Sequence, residues 1–183
     1  MGRFGAWSIG PGRRRLMATG AILAVLATSA CARANPSVVA YVGSDGRVTQ
    51  SELDTAVSGI SQTLQPGQSV QESAVVNALI HGEIAQQVAA ANNITITDAD
   101  RDKLLKGSNL APLLNIPDAK AVAYDVADAQ LVPAKVGSDA YLKAVQSTPV
   151  ELNPRYGQLN PEDRTIVDGS TGSLSTPAPA AGG

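Results

Sequence analysis

Aromatic side chains make up only 3% of this 183-residue sequence, and it has one histidine and one cysteine. A single histidine, His81, leaves a Ser-His-Asp arrangement to coincidence among many serines and aspartates. On a helix its neighbours four residues away are Asn77 and Ala85, so it is expected as a surface or boundary residue without a catalytic partner. A single cysteine cannot close an intramolecular disulfide. No glycine-rich phosphate loop, zinc-ligand spacing or paired catalytic carboxylates are found, so no enzyme activity, metal or cofactor is expected. Basic residues are also few once the first thirty residues are set aside. That stretch takes four arginines with it and leaves ten basic residues against sixteen acidic ones, a formal net charge of −6. No basic cluster remains, which argues against nucleic acid and against adhesion to an anionic membrane by charge alone. Phe4 and Trp7 lie in the same stretch, so tyrosine is the sole aromatic afterwards and stacking platforms for bases or sugars are not expected.

What is present begins with an export leader. MGRFGAWSIGPGRRR is basic, LMATGAILAVLATSA is uncharged and apolar with small residues at its end, and Cys31 follows at once. This is the order of a secretory signal over residues 1–30, and Leu16–Ala30 is shorter than the about 20 residues of a membrane span. Arg13-Arg14 loosely resembles a twin-arginine signal, although a plain basic leader accounts for it. Thr28-Ser29-Ala30-Cys31 resembles the lipobox of bacterial lipoproteins. That resemblance implies a diacylglyceryl group on Cys31, a lipidated tether over 31–37, and anchorage to the outer face of a bacterial cell membrane. The alternative is an ordinary leader cut near Ala34, with Cys31 discarded. At the other end GSTGSLSTPAPAAGG, residues 169–183, has too little apolar surface to offset its ordering entropy and is expected to be disordered.

Residues 38–168 form one domain-sized unit. GSDGRVTQSELD has half of an EF-hand pattern, with Asp45, Gly46 and Glu52 at positions five, six and twelve. Tyr41 and Gly43 fall on the first and third ligand positions, where carboxylates belong, so calcium is not expected. A strand at Val38–Val42, a tight turn at Asp45-Gly46 and a helix capped by Thr49 and Glu52 fit the same residues better. Leu53, Val57, Ile60 and Leu64 follow at helical spacing.

A second capping pair, Ser69 and Glu72, opens the longest predicted helix. Val76, Ile80, Ile84 and Val88 run along it in steps of four, and Asn92-Asn93 ends it. Thr97 and Asp100 open a third helix that stops at Gly107. Asp118 is expected to cap a fourth, through about Leu131, and Pro133 and Gly137 to separate it from a fifth at Ser138–Val145. Asp98, Asp100 and Asp102 suit the positive end of a helix dipole better than a cation site. Val150–Asn153 reads as a short edge strand with Val38–Val42 as its partner.

VVAYVGSDGRVTQSELDTAV, followed by VVNALIHGEIAQQVAAANNITITDADRDKLL, resembles the N-terminal chaperone domain of the SurA-type extracytoplasmic foldases. PVELNPRYG resembles the late returning strand of such lipoproteins from high-GC Gram-positive bacteria. The resemblance implies a mainly α domain with a small two-stranded β element, and ATP-independent binding of unfolded or newly exported polypeptide in an apolar groove. Many members carry a prolyl-isomerase domain, but about sixty residues after Lys106 leave no room for one. Leu53, Val57, Ile60, Val76, Ile80, Ile84 and Val88 are the candidate client-binding residues, although a helix stripe more often builds the core than a groove. The rival expectation is a structural or adaptor envelope lipoprotein that docks one folded partner.

Overall fold

Valines and Ala40 bury four of the five residues of strand β1 (Val38–Val42), leaving Tyr41 half exposed, as suits the centre of a sheet. The computed structural model describes residues 35–167. The leader, Cys31 with its proposed lipid, most of the tether, and the 169–183 tail therefore lie outside the described residues. β1 pairs antiparallel with β2 (Gly46–Thr49) on one side and with β3 (Val150–Leu152) on the other, giving the order β2-β1-β3. Both expected strands are present and paired as expected, and β2 adds a third. The turn differs in detail from the Asp45-Gly46 expectation. Gly43 takes the positive φ of 65°, while Gly46 already pairs with Val42. The Gln87 side chain explains the shift. Its Nε2 donates to the Val42 carbonyl at 3.0 Å, and an added Cβ at 43 would land on that amide.

Thr49 caps α1 (Gln50–Ser61) as a complete capping box. Glu52 N donates to Thr49 Oγ1 at 3.2 Å and Thr49 N to Glu52 Oε2 at 2.7 Å. Thr97 and Asp100 repeat the device on α3 (Asp98–Lys106), at 3.2 and 3.0 Å, and Gly107 is the C-cap. Each such cap contributes about 1 kcal/mol. The Ser69–Glu72 pair does not. Helix α2 (Glu72–Ala91) has Gln71 as its N-cap without a side-chain bond. Val70 precedes that cap and Val75 lies four residues inside the helix, and both belong to the core cluster, so an apolar staple sets the entry of the chain instead. Asn93, at φ 54°, ends α2 as expected. Asn93 N donates to the Ala90 carbonyl at 3.2 Å and Ile94 N to that of Ala89 at 2.8 Å, a complete Schellman motif.

After a 3₁₀ turn at Ala111–Asn115, α4 covers Pro117–Val136. Ile116 occupies the N-cap, so Asp118 sits in the first turn and Pro117 leads the helix, where its missing N–H costs nothing. Pro133 lies inside α4 and does not end it. Val132 beside it is fully buried, and that packing outweighs the hydrogen bond forgone. Gly137, at φ 96°, then separates α4 from α5 (Ser138–Ser147). A two-stranded hairpin, β4 (Gln158–Leu159) with β5 (Ile166–Val167), closes the described chain, and Ile166 N donates to Asn77 Oδ1 at 2.7 Å.

The fold is mainly helical with a small β element. α2 and α4 form its spine, with α1 against α4 and the sheet against α2. One buried cluster joins β1, α1, α2 and α5, and a smaller one joins Leu105, Leu113, Ala119, Ala123 and Ala127. Midway along the spine, α2 and α4 approach so closely that an added Cβ at Gly82 would fall on the Asp125 side chain. No helix among the described residues is long and apolar enough to cross a membrane.

Candidate functional site: an apolar groove between helices

α1 ends at Ser61 and α2 begins at Glu72. The intervening chain includes a Gln65-to-Gln68 turn, with Gln68 N donating to the Gln65 carbonyl at 3.0 Å, and leaves a gap between the two helices. Ile60 and Leu64 form one side of this gap, Val70, Ala74, Val75 and Ala78 another. Leu110 and Leu113 from the 3₁₀ segment face them, and Val122, Ala123 and Val126 of α4 make the floor. The cavity volume is about 430 Å³, within the ~300–1,000 Å³ range of ligand pockets. Among the described residues, Ser69 and Gln71 are its only polar lining residues and no charged side chain lines it.

The groove stays open for a simple reason. Two of its sides present alanine, at 74 and 78 on α2 and at 123 on α4, which stops short of the opposite side, whereas the next turns of α2 present Ile80 and Ile84 to the core. Such a lining offers an incoming apolar segment about 25 cal/mol for each Å² removed from water and almost no hydrogen bonding. The lining suits uncharged aliphatic side chains.

The structure separates the two roles that the sequence left joined. Leu53, Val76, Ile80 and Ile84 are fully buried, Val88 is nearly so, and Val57 packs half-buried against the same cluster. These six belong to the core cluster or pack against it. Of the seven candidates, Ile60 alone lines the groove. Leu64, from the same α1 stripe, lines it too. Val70, Ala74, Ala78, Leu110, Leu113 and Val126 were missed as site residues. The one available signal was the cluster of alanines and leucines flanking turn segments.

The acidic residues have separate tasks. Asp100 caps α3, Asp98 Oδ1 accepts from Arg101 Nη1 at 2.8 Å, and Asp102 Oδ1 accepts from the Tyr124 hydroxyl at 2.8 Å. Glu52 is held by Thr49, and Asp45 accepts from Ser44. Among the described residues no group of three histidine, cysteine or acidic side chains could hold a metal ion. Asp128 is 3% exposed and accepts both Nε and Nη2 of Arg101, at 2.7 and 2.9 Å, which ties α3 to α4. Asp125, facing Gly82, has its pKa pushed up to about 7 by burial and then by the negative charge of Asp128, while a 3.1 Å hydrogen bond from Gln86 Nε2 opposes the rise. His81 is half-buried, and its Nε2 is buried without a hydrogen-bond partner. Burial pushes its pKa down, against a smaller upward pull from Asp163.

Comparison of the chain with protein-family models, curated proteins and solved structures found no match.

Proposed function

We propose that this chain is a lipid-anchored lipoprotein on the outer face of a bacterial membrane that holds short apolar segments of unfolded or newly exported polypeptide, without catalysis. The observation that carries the reading is the uncharged groove of about 430 Å³ between α1, α2, the 3₁₀ segment and α4. Two further features support it. The Val38–Lys106 pattern resembles the SurA-type chaperone domain, and Thr28-Ser29-Ala30-Cys31 resembles a lipobox that would place the groove beside emerging chains. Holding needs no ATP, since an apolar groove binds and releases by mass action.

The test uses the full chain carrying Cys31→Ser, mixed at stoichiometric excess with a reduced, unfolding client whose aggregation is followed by light scattering. The expected result is a delay that Ala74→Glu abolishes. No delay with the unsubstituted groove would overturn the reading. The anchor is checked separately, by mass spectrometry of the mature N-terminus of the native chain. A diacylglyceryl adduct on Cys31 is expected, and a terminus near Ala34 would refute it.

The size of the groove also favours a narrower second reading, an adaptor that docks one folded envelope partner through a single short apolar element. A pull-down returning one stoichiometric partner, together with no effect on client aggregation, would select it.

A further inference from the structure

Two walls of the apolar groove are helices that each contribute a pair of residues one turn apart, Ala74 and Ala78 on α2 and Val122 and Val126 on α4. Main-chain groups around the groove are already paired within their own elements. The Ile60 carbonyl accepts from Thr63 N at 2.9 Å, that of Gln71 from Ala74 N at 3.0 Å, and that of Leu110 from Leu113 N at 3.0 Å. Among the described residues no strand borders the groove, so neither free edge of the β2-β1-β3 sheet can pair with a guest there.

We infer that the groove takes its client as a short amphipathic helix and not as an extended strand, with aliphatic side chains at i and i+4 as the anchors. The inference rests on the segment-holding reading above and names the conformation that is held. An extended segment turns every second side chain away from the groove. It also points its N–H and C=O groups sideways, at walls that offer them almost no partner. A helix bonds its own main chain and gathers its i, i+3 and i+4 side chains on one face. An i, i+4 ridge of the guest fits between the Ala74–Ala78 row and the Val122–Val126 row, and the two alanines let its axis come close. The uncharged lining selects which face enters. Aliphatic side chains go in, and the charged residues of the client stay on the opposite face, in water. A free segment of about fifteen residues is only marginally helical in water, so binding and helix formation in the client are coupled.

The test titrates the full chain carrying Cys31→Ser into fluorescently labelled peptides of about fifteen residues, read by anisotropy. One peptide places leucines at i and i+4 among alanine, lysine and glutamate. A second has the same composition with the leucines at alternate positions, and a third is the first with a central proline. The first is expected to bind at least tenfold tighter than either of the others and to gain helical circular dichroism on binding. Ala74→Glu, at an exposed position on the groove wall, is expected to weaken it at least tenfold. Equal affinity for the first two peptides, binding of the first without a gain of helix, or indifference to Ala74→Glu would overturn the inference. If no peptide binds while aggregation of the unfolding client is still delayed, the inference falls and the holding reading stands. If no peptide binds and aggregation is not delayed, both fall.

Discussion

The two ends of α2 are built from similar residues and behave differently. From Ile80 to Ala85 its inner face is closed: Ile80, Ile84 and Ala85 are fully buried, and Gly82 lets α4 come within contact. Toward its N-terminus Val75 and Ala78 line an open groove, because the 62–71 segment and the 3₁₀ segment pass to either side without filling it. An apolar helix face thus becomes core or site according to what crosses it. Alanines at a crossing whose neighbours stand off leave room for a guest, and a glycine at a crossing whose neighbour comes close leaves none.

The largest predicted effect breaks the closed end. Asp128→Ala removes the buried partner of the Arg101 guanidinium and leaves it only the exposed Asp98, and chemical denaturation should show a loss of about 3 kcal/mol. Ile84→Ala empties a fully buried site and should cost about 2–4 kcal/mol, whereas Val75→Ala, beside the groove, should cost clearly less because solvent already reaches its neighbours. Equal losses at 75 and 84 would erase the contrast between the two ends.

Asp125 tests the crossing itself. Its folded pKa lies above its unfolded value, so the folded state binds the extra proton between about pH 4 and pH 7. Wild-type stability is therefore highest below pH 4 as far as this group is concerned, and falls as pH rises through that window. Asp125→Asn should stabilise the protein by about 2 kcal/mol at pH 8 and by much less at pH 4, read as thermal midpoints at the two pH values. The smallest effect on stability belongs to the open end. Ala74→Glu adds an exposed acid in the first turn of α2, where the helix dipole favours it, and should change stability by less than about 0.5 kcal/mol while removing client holding. A stability loss as large as that of Ile84→Ala would mean that Ala74 is core after all.

Local signals were legible wherever neighbouring residues in the chain carry them. The Thr49 and Thr97 capping boxes, the Asn93 terminus of α2 and the Val38–Val42 strand follow from side chains within a few positions of one another. The Ser69–Glu72 pair and Pro133 were misleading for different reasons. At Ser69 a competing local device, the Val70–Val75 staple, takes the helix start, and at Pro133 the burial of Val132 against distant elements outweighs the local rule. The strands β4 and β5, of two residues each, are too short to announce themselves, and β2 lies within the residues read as turn and helix cap.

The sequence by itself determined the helical class, the pairing of the first and third strands, and the acidic, aromatic-poor character of the chain. Only the tertiary structure decided which apolar residues are core and which are site. Periodicity tells a side chain which face of its helix it occupies, but not how far away the opposite helix stands, and here that distance separates Ile84 from Ala78.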